Sequence, residues 1–274
     1  MRLFGYLYSP RVFLLAVMIC PLLTYPCLSQ AQFDAAGEKQ LVQLINQERA
    51  NQGLQPLTVD QRLTLAAKKH TVLMVQHKTL AHQFDGEPSL QLRFGDESFP
   101  SDRQAENVGF AKDVLSAHQG FMHSPPHRAN ILDPSFNAVG VAVMRSGGEV
   151  YVTEDFGHRI EEYSEPEADA ILQKAVESYA ARHGMATPVR QAQSQLRHIA
   201  CDMALNDSLQ GQKAPELPGV EAVAVWTAAA PAELPSVAKN LLSRPSPAKY
   251  SLGACFAPSV SHPGGIYWIV MVVY

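Results

Sequence analysis

The chain has 274 residues, 46% hydrophobic and 18% charged, with a formal net charge of −4. That is the composition of an ordinary globular protein. No run or face of Lys and Arg is present, which excludes the electrostatic footprint of a nucleic-acid-binding protein.

The first segment stands apart. Arg2 and Arg11 precede an apolar run from Val12 to about Leu23, and small residues follow. Ser29 and Ala31 occupy −3 and −1 of a cut after Ala31, so residues 1–31 read as a secretory signal peptide. The competing reading is a transmembrane anchor, but Pro21 and Pro26 interrupt the run, which falls short of the roughly 20 apolar residues a span needs. Thr24, Tyr25 and Pro26 before Cys27 are unlike a lipid-attachment box. Cleavage removes Cys20 and Cys27 and leaves Cys201 and Cys255, as one disulfide or as two separate buried thiols. The mature protein is expected to be extracellular or periplasmic, with no transmembrane anchor.

Leu41, Leu44, Ile45 and Glu48 share one face of a helix over 39–51, and Gly53 suits the left-handed turn that closes it. Asp60 is a good N-cap for a second helix, with Leu63, Ala66, Ala67, His70 and Met74 at three-and-four spacing. His70 thus falls on the buried stripe, as a hydrogen-bonded core histidine rather than a ligand. A loop-rich stretch with Gly86, Pro88, Gly95 and Pro100 leads up to Glu106-Asn107-Val108. A third helix runs over 113–123, with Val114, Leu115, His118, Phe121 and Met122 facing inward. Pro125 and Pro126 end it. Each holds the preceding residue away from helical angles, yet proline is well suited to the opening turn of a new helix. HRANIL, 127–132, then forms a short helix that stops before Asp133-Pro134, with His127 held on a rigid corner in its first turn.

AVGVAVM at 138–144 is a β run, Ser146-Gly147-Gly148 a hairpin turn and EVYVTEDF the return strand. Helices on an antiparallel sheet make an α+β protein, an α/β/α sandwich over 32–160. The acidic stretch EEYSEPEAD, 161–169, reads as a linker. From 170 to 274 the order of elements recurs. ILQKAVESYAARHG is an amphipathic helix closed by glycine, and QLRHIACDMA has the apolar spacing of RLTLAAKKHT. YSLGACFAPS and IYWIVMVVY, around Gly264-Gly265, imitate NAVGVAVMRS and EVYVTEDF. This is a degenerate second copy or an unrelated small α+β domain. It holds nothing like Glu106-Asn107 or Ser124-Pro-Pro-His127.

Several of these motifs occur together in a known family. SPPHRANIL followed by FNAVGVAV, the tripeptide ENV, LAH at 80–82 and INQERANQGLQPL resemble the CAP superfamily of cysteine-rich secretory, antigen 5 and pathogenesis-related 1 proteins, in its secreted bacterial branch. The resemblance covers about 38–157. It implies an α/β/α sandwich with a cleft lined by two histidines and acidic residues, able to bind a divalent metal, often zinc. The matching positions are His82, Glu106 and His127, with Ser124, His123 and Asn107 beside them. Ser124 or His123 stands near where many members carry a further glutamate, so the four-residue set is incomplete.

Two imidazoles and a carboxylate form a His2Glu set that leaves a coordination position open on zinc. In an alternative arrangement Glu106 is a general base. No HExxH or other compact metal motif is present, and the proline pair breaks the helix that would align His123 with His127. Ordinary structural roles compete: His82 as a surface histidine, Glu106 as a helix-cap carboxylate and His127 as a cap of its own helix. Asn107 and Asn130 suit side-chain to backbone bonds, Arg49, Arg93 and Arg128 suit pairing with carboxylates, and Ser124 suits capping rather than nucleophilic work. Two functions follow. One is a binding module for a small-molecule, lipid, peptide or glycan ligand of the envelope. The other is a metal-assisted hydrolase acting on cell-wall polymers or peptides, with Glu106 catalytic.

Overall fold

The computed structural model describes residues 31–186, 188–210, 216–244 and 249–274, so the expected signal segment lies outside the described residues except for Ala31. Two antiparallel hairpins build two sheets. In the first, β4 (Ala138–Ser146) and β5 (Glu149–Arg159) are joined at Gly147-Gly148, both at positive φ. β3 (Ser101–Ala111) pairs with the outer side of β5, while β1 (Gln32–Phe33) and β2 (Thr58–Val59) pair with β4. β3 is therefore an edge strand.

The side chains of β4 explain the layers. Val139, Val141 and Val143 pack against α1 (Ala35–Asn51), α4 (Val114–His123) and α5 (Pro125–Ile131), with Leu41, Ile45, Phe121 and Ile131. Full burial of such a side chain contributes about 1.5–3 kcal/mol. Ala138, Gly140 and Ala142 alternate with the valines and face α2 (Gln61–His77). These small residues let α2 settle close: a Cβ on Gly140 would stand 2.1 Å from the carbonyl carbon of Leu63. Asp60 caps α2 as the sequence indicates, accepting from the Arg62 amide, and Asp113, expected as the first residue of its helix, is the cap of α4, accepting from the Ser116 amide.

The second sheet repeats the first. β6 (Val189–Arg190) runs parallel beside β8 (Lys249–Ala257), β8 pairs with β9 (Ile266–Val273), and β7 (Ala222–Ala228) takes the edge beyond β9. α7 (Gln195–Leu205) crosses β8 as α2 crosses β4. Gly253 is the counterpart of Gly140, since a Cβ there would lie 2.4 Å from the backbone of Leu196 and Arg197. The second unit is a CAP-like scaffold. Cys201 on α7 is bonded to Cys255 on β8, which resolves the alternative that the cysteines left open.

Several expectations are corrected. Residues 101–111 form a strand and not a loop, because they pair with β5 from Ser101 to Ala111. Its buried positions include Glu106 and Asn107, so no apolar alternation marked it. α3 (Leu90–Asp96) was also unmarked. The linker stops short of 169: α6 (Glu165–Arg182) begins at Glu165, where the Glu167 carboxylate accepts from the Ser164 amide and hydroxyl. Leu115 is 46% exposed and does not face inward. Among the described residues, no helix is long and apolar enough to cross a membrane.

Gly140→Ala is expected to destabilise the protein by about 1–3 kcal/mol through overpacking against α2. Urea unfolding measures this, and an unchanged midpoint would mean that α2 can retreat without cost.

Candidate functional site

The two faces of β3 carry two polar groups. On the side of α2 and α3, the Glu106 side chain is 3% exposed. Its Oε1 accepts from His82 Nδ1 at 2.9 Å, and its Oε2 accepts from Arg93 Nη2 at 2.8 Å. Arg93 Nη2 also donates to the carbonyl of His82 at 3.2 Å, so one guanidinium fixes both the carboxylate and the backbone of its partner. Behind them His70 is fully buried, as the sequence reading required. Its Nε2 donates to the carbonyl of Ala81, and its Nδ1 is hydrogen-bonded to Glu87 Oε1 at 2.7 Å. This pair anchors the α2–α3 loop that carries His82.

On the opposite face Asn107 governs α5. Its Nδ2 donates to the carbonyl of His127 at 3.1 Å and to Glu154 Oε2 at 2.9 Å. Asn130 Nδ2 returns to Asn107 Oδ1 at 2.9 Å. The sequence reading foresaw side-chain to backbone bonds for both asparagines, but their place is a strand and a helix rather than turns. The His127 ring stands edge-on to Phe121, with centroids 5.2 Å apart.

The proline pair does what its chemistry predicts. Ser124 ends α4, donating its amide to Gly120, and opens α5, accepting from the Arg128 amide, with prolines in the first turn. Its side chain makes no capping bond to α5. His123 is exposed and folds back to donate to the Gln119 carbonyl. Neither has a hydrogen bond to His82, Glu106 or His127. Arg49 serves carbonyls rather than a carboxylate, reaching Gln55, Ile131, Asp133 and Phe136.

Electrostatics separates the two imidazoles. The bond from Glu106 raises the pKa of His82 above its ordinary value against the opposing effects of burial and Arg93. His127 is lowered by burial and then by the charge of His82, which places it within electrostatic reach of that ring. Burial works against the ionisation of Glu106, but His82, Arg93 and His70 outweigh it and hold the group below its usual range.

Two functional candidates went unread in the sequence. Glu154 and Asp155 are fully buried mid-strand on β5, and Asp155 sits opposite Glu106 in the register. Burial pushes Glu154 up to about 8, and burial with the charge of Glu106 raises Asp155 well above the carboxylate range. In both the shift favours the protonated form. An acidic pair inside an apolar strand was the available signal, because buried acids are rare unless paired.

The second unit shows what the fold itself needs. Aligned on Gly140 and Gly253, the strand registers place Val225, Trp226, Ile269 and Val270 at the positions of Glu106, Asn107, Glu154 and Asp155. Aligned on Leu63 and Leu196, Met203 replaces His70. The same architecture is built without this polar network, so scaffold stability does not require it.

A metal can be tested against these residues. Among the described residues, no three His, Cys, Asp or Glu side chains are grouped closely enough to hold one. Both oxygens of Glu106 are already engaged. Glu106 therefore acts on His82 from Nδ1, as an orienting carboxylate, rather than as a free donor.

By its layers and its His/Glu edge, the first unit is an α/β/α sandwich of the CAP type. Residues 42–156 match the model of the Cysteine-rich secretory protein family, CAP. It is 33% identical over 116 residues to the uncharacterized protein YkwD of Bacillus subtilis (strain 168), covering 41% of this chain and 44% of that protein. A crystal structure of an extracellular protein containing an SCP domain, from Bacillus anthracis str. Ames, is 25% identical, with a TM-score of 0.42 over 45% of this chain and 41% of that one. The chain thus spans less than half the length of each of these two relatives. Na-ASP-1 is 8% identical, with a TM-score of 0.50 over 87% of this chain and 89% of that one. That last likeness concerns the fold alone, and it runs through both units.

Glu154 generates a pH prediction. Folded, it keeps its proton up to about 8, whereas the unfolded chain releases it near 4.5. The folded state binds more protons in that window, so stability falls as pH rises through it. Glu154→Gln keeps an acceptor for Asn107 and removes the penalty. It should stabilise the protein by about 1–3 kcal/mol at pH 7.5 and by less than about 0.5 kcal/mol at pH 5. Chemical denaturation at both pH values checks this, and an equal gain at the two would refute the assignment.

Proposed function

We propose that the chain is an exported binding protein whose cleft, astride the edge strand β3, takes a divalent metal between His82 and His127 and engages an envelope ligand there. The ligand class is a lipid, peptide or glycan. The carrying observation is the pairing of one scaffold that has a buried polar network with a second that lacks it. A network that the fold does not need, and that orients two imidazoles from opposite faces of one strand, supports a ligand site. The signal-peptide pattern of residues 1–31 supports export.

His82 Nε2 and the His127 ring would hold the metal, with Glu106 and Arg93 fixing His82, and Asn107 fixing the backbone of His127. A metal on two nitrogens keeps positions open for oxygen donors of a ligand. Binding is favoured over hydrolysis because no carboxylate beside the imidazoles is free to act as a base. Glu106 is engaged at both oxygens, Asp155 is fully buried with its pKa raised, and Glu154, likewise buried and raised, is bonded to Asn107 on the other face.

Calorimetric titration with zinc at pH 7.5 tests the reading. One site per chain is expected, with affinity reduced roughly tenfold or more in His82→Ala and in His127→Ala. Equal uptake by the wild type and the double variant would remove the site from these residues.

A further inference from the structure

At the positions of Glu106, Asn107, Glu154 and Asp155 the second unit carries Val225, Trp226, Ile269 and Val270, yet its β8–β9 turn is fitted closely to α3, the helix that carries Arg93. Gln91 and Gly95, four apart and so on one face of α3, meet this turn. Gln91 Nε2 donates to the Ser261 carbonyl at 2.7 Å, and a Cβ on Gly95 would stand 2.4 Å from Pro263 Cβ. A Cβ on Gly264 would stand 1.9 Å from the Phe99 carbonyl oxygen, just beyond α3. Glycine is required on both sides of the contact. The other face of α3 buries Arg93 and Phe94 toward the first unit.

The turn is itself braced. Asp207, after α7, accepts from the Ser261 amide and hydroxyl, and the His262 carbonyl accepts from the amides of Ser259 and Gly265. α3 has seven residues, too few to hold its place by helix formation alone, so its position comes from what packs on it. Arg93 makes its hydrogen bonds through Nη2, while its buried Nε and Nη1 have no hydrogen-bond partner. Packing, rather than a saturated set of bonds, keeps the guanidinium in place.

We propose that the second unit is a positioning element for the cleft of the first. Through Pro263 and Gly264 it presses α3 and Phe99 onto the first sheet, and Arg93 passes that placement to Glu106 and the His82 backbone. The proposal rests on the reading of this cleft as the working site, but its test does not need a metal.

The experiment follows the His82 ring resonances of the whole chain by NMR at fixed pH, with no metal added. Arg93→Gln sets the scale by cutting the tether directly. Gly264→Val, which must displace Phe99, is expected to move the His82 signal by at least half as much. Gln91→Ala removes one tether without adding volume, moves the signal less but in the same direction, and decides the matter if Gly264→Val does not fold. Val176→Ala opens a cavity under α6, away from the turn, and should leave the signal in place. An unmoved His82 signal in folded Gly264→Val, or in Gln91→Ala if that variant must decide, overturns the proposal. So does an equal movement in Val176→Ala. If His82 moves as expected while the wild-type chain takes up no zinc, the metal reading fails and the positioning role stands.

Discussion

The pKa of Glu106 is held down inside the protein by His82 and Arg93, which bond to its two oxygens at 2.9 and 2.8 Å. A buried carboxylate without such a partner loses its hydration and recovers neutrality by holding a proton. Asp155, opposite it on the neighbouring strand, is pushed that way by burial and by the charge of Glu106, so the two acids are shifted in opposite directions. Glu106 in turn orients His82 and raises its basicity. Burial, and then the charge of His82, lower the pKa of His127, which approaches β3 from the other layer.

The chain contains its own comparison. Two units share strand order, hairpin register and a glycine under the crossing helix, yet they differ in what lies between the layers. Where one buries Glu106, Asn107, Glu154 and Asp155, the other buries aliphatic side chains and Trp226. Exchanging buried polar groups for packed apolar ones is commonly neutral or favourable for stability. The polar unit therefore buries groups that a scaffold of the same layout does without.

Much of the scaffold was legible in the sequence, and the reasons are local. Asp60 and Asp113 stand before apolar three-and-four patterns, and Gly147-Gly148 separates two β runs, so α2, α4 and the hairpin were readable. β3 was not, because its buried residues are an acid and an amide whose partners lie on other elements. Nor was α3, whose place depends on a turn 170 residues away from Gln91. Of the site, His82, Glu106 and His127 came into view through a family resemblance, since 24 residues separate the hydrogen-bonded His82 and Glu106 and no spacing rule joins them. Glu154 and Asp155 escaped notice because a sequence does not state protonation.

Asn130 has a second consequence. The outer rim of a sheet offers free backbone groups that can recruit a strand from another molecule. On β3 the Glu106 carbonyl accepts from Asn130 Nδ2 at 3.4 Å, and Asn107 beside it is tied to the same helix. A side-chain amide occupies the place that an intruding strand would use. The residue that braces Asn107 thereby also covers part of the open edge of the sheet.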